Sequence, residues 1–338
     1  MAALRPGFDH LLAMSDHHGT FEHACGAEPR REHGYCTDDM ARVLVVTTRE
    51  SGGGAAVCGL AKVAIRFLDE AQGYLGGCRN RMDSNGRWTD ALAFEDCWGR
   101  CLWGLGSAAA HSDNGLIRRL SVVQFERAAH GRSAWPRAMA FAAIGAAELL
   151  SVEPANAAAG KLISDYAAGA PVPGVDADWP WPEPRLSYAN AVLAEAMIAA
   201  GAALDDAPLS QRGLDLLGWL VERETRDGHL SPTPAAGWSA GEPRPGFDQQ
   251  PIEVSSLADA CARAATVDAG AIWPATVRAA VAWFQGDNDA GVPMWNPETG
   301  GGFDGLHADG ANQNQGAEST LALLSTFQQA RRFVAVSS

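Results

Sequence analysis

A chain of 338 residues, 47 % of them hydrophobic, can bury a large core, and at this length one barrel-like domain is as expected as two. Its 26 basic residues face 40 acidic ones, a formal charge of −14, which argues against nucleic-acid and anionic-membrane partners, since both recruit basic clusters, and against a polyanionic substrate such as a uronic-acid polymer. No run approaches the ~20 apolar residues of a membrane span. The N-terminus lacks a signal-peptide core, and seven cysteines without patterned spacing make no disulfide framework. A cytoplasmic location is expected.

Helical periodicity between Gly/Pro breaks predicts twelve helices, at 5–14, 38–50, 57–71, 96–110, 115–129, 135–150, 156–168, 188–201, 208–225, 252–266, 274–286 and 316–332. Strand signals are nearly absent. The links at 15–37, 72–95, 169–187, 226–251 and 287–315 are long, and between them fall short ones, with 130–134 a short exception among the long set. If successive helices run antiparallel, the long links share one end of the molecule. Long structureless links in a compact domain tend to be functional. The pattern predicts an all-α (α/α)6 toroid as a single domain over 1–338, with helix 5–14 beside the C-terminal helix. An irregular helical solenoid is the competing architecture.

The six inner helices then open on "YCTDDMAR" (35–42), "FEDCWGR" (94–100), "SAWPRAMA" (133–140), "WPEPRLSYANA" (181–191), "FDQQPIEVSS" (247–256) and "NQNQGAES" (312–319). All but the third bring carboxylates or amides. Thr37 as an N-cap, with Asp38 and Asp39 as dipole partners, and Glu253 as a capping-box glutamate are ordinary helix starts. Capping does not explain why so many acids collect at one end. Opposed carboxylates on one rim suit glycosidic cleavage, which needs one proton donor and one second carboxylate. The expected acid/base set is Asp38, Asp39 and Glu253, with Asp96 and Glu318 as alternates, and the sequence does not choose between Asp38 and Asp39.

Sugar contacts are expected from Tyr35, Arg42, Glu95, Trp98, Trp181, Tyr188, Asn190, Asp248, Gln249 and Gln250, and from Asp304, His307 and Gln315 in the last long link. Amides donate and accept as hydroxyl-rich ligands require, and indoles offer a flat apolar face. Trp88, Trp179, Trp238 and Trp295 also fall in long links, where half the tryptophans should be loop anchors. "DHHGTFEHAC" (16–25) lacks zinc-site spacing, and neither a calcium loop nor a nucleotide fingerprint is present. No metal and no cofactor are expected.

The motifs "GYCTDDMAR", "FEDCWGR", "WPWPEPRLSYANA", "FDQQPIE" and "GGFDGLHADGANQNQGAES" resemble a bacterial six-hairpin (α/α)6 glycosidase-like family, often associated with glycosyltransferases, over about residues 8–330. Within it the chain looks most like the mycobacterial methylmannose polysaccharide hydrolases. The resemblance implies an inverting endo-hydrolase of an α-(1→4)-mannoside oligo- or polysaccharide, partly O-methylated. Met40 stands where relatives are expected to carry Asn, which would relax one sugar contact. A sugar epimerase or isomerase on the same toroid would rely on inner-helix histidines for proton transfer, and the predicted inner helices contain none. A glycan-binding module without catalysis would keep the aromatics and amides yet need no opposed carboxylates.

Overall fold

The computed structural model describes residues 7–334. Within them are twelve α-helices: α1 (Asp9–Ala13), α2 (Thr37–Arg49), α3 (Gly54–Ala71), α4 (Asp96–His111), α5 (Gly115–Ala128), α6 (Pro136–Val152), α7 (Ala157–Ala168), α8 (Ala191–Leu204), α9 (Ala207–Arg223), α10 (Pro251–Ala264), α11 (Ile272–Phe284) and α12 (Ala317–Arg331). Every expected helix has its counterpart. Residues 5 and 6 of the first expected helix lie outside the described residues. The eighth begins three residues later than expected, because Ser187–Asn190 form a turn in which Ala189 takes the left-handed φ of 44°.

Composition separates the inner helices from the outer ones. In α8, "AVLAEAMIAAGAAL", every residue from Ala191 to Gly201 is buried, as a helix apolar all round must be. In α9 only Leu209, Gly213, Leu216, Leu217, Leu220 and Val221 are buried, one stripe facing inward. The even-numbered helices pack as a closed ring, α2 on α4, α4 on α6, α6 on α8, α8 on α10, α10 on α12 and α12 back on α2. The odd-numbered helices lie outside, with α1 against α12 and α3. Contact between α12 and α2 makes this an (α/α)6 toroid and rules out a solenoid. Between α4 and α6 the backbones nearly touch: a Cβ on Gly106 would stand 2.0 Å from the Gly145 carbonyl oxygen, and one on Gly145 2.2 Å from that of Leu102.

The long links carry short antiparallel ladders of two or three residues, such as Tyr35–Cys36 with Arg81–Met82 and Arg185–Leu186 with Trp238–Ser239. Runs this short cannot display a period-2 pattern, so the sequence does not reveal them. At the opposite end, basic side chains in the last turns of α2 and α10 meet acids. Arg49 pairs with Asp259 at 2.9 Å and Arg263 with Glu195 at 3.0 Å, a placement that complements helix C-terminal dipoles. No described helix is long and apolar enough to cross a membrane.

Candidate functional site

Pro251 opens α10, and Glu253 stands at the third helical position, where a capping box would bend its carboxylate back to the Gln250 amide. It does not bend back. The carboxylate reaches the start of α8, accepting from the Ala189 N–H, from the Asn190 N–H at 3.2 Å and from Asn190 Nδ2 at 3.1 Å. Asn190 is therefore a holder of Glu253, fully buried, and not a sugar ligand. Arg137, from the first turn of α6, braces the same turn. It donates to both Glu183 oxygens at 2.7 and 2.8 Å, to Asn190 Oδ1 at 3.3 Å and to the Tyr188 carbonyl at 2.6 Å. Burial pushes the Glu253 carboxyl up to about 8, the Glu224 charge adds to the rise, and the Ala189 and Asn190 amides and Arg137 oppose it.

At the start of α2 the cap is Cys36, whose sulfur accepts from the Asp39 N–H at 3.5 Å. Thr37 is not the N-cap; it is the first helical residue, and its hydroxyl donates to the Arg79 carbonyl at 2.6 Å. The two aspartates part company here. Asp39 is 2 % exposed and accepts from Arg42 Nη1 at 2.7 Å and from the Cys36 thiol at 3.2 Å. Burial lifts its carboxyl to about 6 against the pull of Arg42, with Glu318 and Glu22 adding to the rise. Arg42 also reaches Glu318 at 2.8 Å, so Asp39, Arg42 and half-exposed Glu318 form one chain of charge joining α2 to α12. Asp38 is more open. Its Oδ2 accepts from Asn80 Nδ2 at 3.0 Å, whereas Oδ1 has no hydrogen-bond partner among the described residues and stands 3.6 Å from Arg100 Nε.

Asp96 lies beside Arg100 and Asp38; burial raises its carboxyl, Arg100 opposes and Asp38 reinforces. Glu95 is exposed as the N-cap of α4 with no side-chain cap bond. Below this rim an axial cavity begins at Arg42, Arg100, Ile252 and Glu318 and descends past Trp103 and Phe141 to Glu195 and Asp259.

Several expected sugar contacts lie elsewhere. Trp98 is wholly buried, its Nε1 donating to the Ala128 carbonyl at 3.0 Å. Trp181 is 2 % exposed and stacks on Trp219. Both are packing residues, as are buried Trp179, Trp238 and Trp295, while Trp88 packs edge-on against Phe67. Tyr35 is buried with its hydroxyl on Asp16 at 2.8 Å. Gln249 is buried between Asp289 and Trp283, and Gln315 accepts from Thr299 Oγ1 at 2.5 Å. Asp304 ties down the start of α12, accepting from the Gly316 N–H and Ser319 Oγ at 2.8 Å each. Met40 is buried too, its sulfur accepting from the Thr20 N–H at 3.1 Å, so it replaces no sugar contact. Core packing claims these side chains, Trp98 and Met40 on the ring helices themselves and the others in links that fold back onto the ring.

Facing solvent on the rim are Tyr188, stacked over Arg137 at 5.0 Å, partly exposed Gln250, and Asp248 with His307. Asp248 Oδ1 has no hydrogen-bond partner among the described residues and is 3.8 Å from His307 Nδ1. Trp135, at the cap of α6, is 60 % exposed. The inner helices hold one histidine: α4 runs one residue beyond its expected end to His111, which pairs with Glu148 at the far end of the ring. Glu22, Cys36 and Asp39 offer ligand atoms within 4.8 Å of one another. Arg81 already holds Glu22 and Arg42 holds Asp39, so two guanidinium charges oppose a cation there.

Sequence reasoning passes over Asn80, Arg137 and Glu224. Glu224 follows α9 on the rim side, 2 % exposed, its carboxyl accepting from the Thr233 N–H at 3.2 Å. Burial pushes its carboxyl up to about 7. Its one sequence signal is an acid at a helix C-terminus, against the dipole.

No family model and no curated protein sequence matches the chain. Solved structures do. A sugar epimerase from a ruminal bacterium is similar at TM-score 0.72 and 13 % identity, covering 97 % of this chain and 96 % of that one. The cellobiose 2-epimerase of Bacillus thermoamylovorans is similar at TM-score 0.69 and 13 % identity, covering 95 % of each chain. A GH76 α-mannanase of Bacteroides thetaiotaomicron is similar at TM-score 0.64 and 11 % identity, covering 96 % of this chain and 92 % of that one. At these identities the likeness establishes the toroid, which both epimerases and glycoside hydrolases use.

Proposed function

We propose that the chain, as one catalytic domain, is a glycoside hydrolase that cleaves internal α-(1→4)-mannosidic bonds of a mannose polysaccharide, O-methylated in the form implied by the sequence resemblance to methylmannose polysaccharide hydrolases. The carrying observation is a pair of carboxyl groups at inner-helix starts with opposite environments. Burial favours the protonated form of Glu253, whereas Asp38 is part-exposed, with one oxygen on Asn80 and the other, buried, 3.6 Å from Arg100 Nε. Such divergence separates acid from base in glycoside hydrolysis. Glu253 would give its proton to the leaving glycosidic oxygen as that bond breaks. Asp38 would take a proton from the water that attacks the anomeric carbon, inverting it. Asp39 is the less suitable base because it is buried and committed to its Arg42 ion pair, out of reach of an attacking water. In this reading Tyr188, Trp135, Gln250, Asp248, His307, Glu95 and Glu318 would meet sugar hydroxyls and ring faces. Incubation with α-(1→4)-mannoside oligomers, methylated and plain, followed by NMR of the first anomer, tests this. Shorter oligomers with inverted anomers are expected, and binding without cleavage would overturn it.

One observation favours a second reading. The partly exposed His307–Asp248 pair on the rim could move a proton at a sugar carbon, as an epimerase requires. Deuterium incorporated from solvent at C2 of mannose or a mannoside, without chain cleavage, would select it.

A further inference from the structure

Arg100 is the most anomalous charged side chain of the ring. Three arginines among the described residues are buried, Arg42, Arg100 and Arg137. Arg42 donates to Asp39 and reaches Glu318, and Arg137 makes four hydrogen bonds. Arg100 is 4 % exposed and donates no hydrogen bond among the described residues. Two groups stand close to it. Asp38 Oδ1 is 3.6 Å from Nε, too far for a hydrogen bond, and the Phe141 ring centre is 4.1 Å from the guanidinium carbon. Both compensate the charge. Neither satisfies the five N–H donors of a guanidinium, and buried donors are seldom left without partners.

The donors are nonetheless open to the site. Arg100 lines the rim end of the axial cavity with Arg42, Ile252 and Glu318, and none of its nitrogens is enclosed, whereas Asp38 Oδ1 is. The same wall includes Ala189, whose N–H holds Glu253. Farther down, Trp103, Phe141, Val192 and Leu321 offer no acceptor on their side chains. The cavity measures about 40 Å³, space for about three water molecules and less than a pyranose ring fills. A ring would therefore lie above Arg100 and reach it with its oxygens. We propose that Arg100 is a sugar-binding residue of this site, its N–H groups donating to two neighbouring oxygens of one neutral sugar ring. This rests on the reading of the rim as a sugar site. The charges favour a neutral ligand: Arg42 and Arg100 stand among Asp38, Asp39 and Glu318, with Asp96 one turn before Arg100 on α4. A phosphate or a carboxylate would meet more carboxyl groups than guanidinium groups. Adjacent ring oxygens, in contrast, give the planar fork two acceptors side by side without adding charge.

Arginine side-chain NMR tests this. In protein carrying 13C,15N-labelled arginine, the Cζ–Nε signal of Arg100 is assigned by its loss in Arg100→Met, or in Arg100→Lys should the first variant not fold. The parent is then titrated with mannose, methyl α-D-mannopyranoside, glucose, cellobiose and inorganic phosphate. At least one neutral sugar should move the Arg100 signal saturably, while that of Arg137, already committed to Glu183, moves less. In the Glu253→Gln background, α-(1→4)-mannoside oligomers should bind at least about tenfold more weakly once Arg100→Met is added, the scale of a lost charged hydrogen bond. Arg100→Lys should recover part of that loss. A purely structural role would lower the melting midpoint and leave Kd and the sugar response in place. An Arg100 signal that follows phosphate and no sugar, or none of these ligands, or a Kd unchanged in Arg100→Met, would overturn the proposal. Sugars that move Arg100 while no oligomer is cleaved would fell the hydrolase reading and leave Arg100 standing. Cleavage with an indifferent Arg100 signal would do the reverse.

Discussion

Replacing Glu253 by glutamine should make the protein more stable as the pH rises, relative to the parent. Burial lifts the folded-state carboxyl from its ordinary 4.5 to about 8. Between those values the native state binds more protons than the unfolded chain, so parent stability falls as pH rises from about 4.5 to about 8. Each unit corresponds to about 1.36 kcal/mol, which sets a ceiling of about 5 kcal/mol on this loss for the shift to about 8. Sharing of the repulsion with Glu224 reduces it. Separately, at every pH, glutamine keeps one carbonyl oxygen for donors that the carboxyl group accepted on two, leaving a buried group short at about 1–3 kcal/mol. Glu253→Gln should therefore be less stable than the parent by about 1–2 kcal/mol at pH 4.5 and gain on it by about 2–3 kcal/mol by pH 8. Urea denaturation at pH 4.5, 6 and 8 measures this, with activity lost throughout. A stability difference that does not change with pH, or that moves the other way, would mean Glu253 is ionised in the fold and cannot be the acid.

Three further outcomes follow from the same geometry. Asp38→Asn should abolish turnover with stability changed by less than about 1 kcal/mol, whereas Asp39→Asn leaves Arg42 short of a buried partner and should cost about 3–5 kcal/mol by thermal or urea melts; the reverse pattern would make Asp39 the base. Arg137→Met releases the Tyr188–Asn190 turn, so kcat should fall at least about tenfold with folding retained, and unchanged kcat would show that Glu253 needs no such brace. Gly106→Ala must push α4 from α6, costing about 1–3 kcal/mol or more in a denaturation midpoint far from any substrate contact.

The ring was legible because its two signals are redundant. Helices such as α8, apolar all round, must lie inside, and helices such as α9, with one apolar stripe, outside, while alternating link lengths assign the ends. The rim was legible only in part. Sequence position identifies Asp38, Asp39 and Glu253 as first-turn acids, but not which way each carboxylate turns. That is decided by partners remote in sequence: Asn80 for Asp38, Arg42 for Asp39, and the Ala189–Asn190 turn for Glu253. The tryptophans misled for a related reason. A loop indole reads the same whether it faces a ligand or packs, and Trp181 finds Trp219 of an outer helix, a neighbour no spacing announces.

All three first-turn acids sit where the helix dipole favours the ionised form, and that dipole is worth about 0.3–1 kcal/mol at an exposed site, less than one unit of titration. It cannot by itself make one carboxyl an acid and another a base. Burial can, since the Glu253 shift from 4.5 to about 8 exceeds it severalfold. Asp39 is the control for this comparison. It is as buried as Glu253, but a guanidinium at 2.7 Å opposes its rise, which stops at about 6. Glu253 has amide donors in place of a guanidinium contact and a second carboxyl nearby in place of a cation, so the same burial carries it further. What would distinguish the proposed proton donor is thus the company kept by a buried carboxyl group.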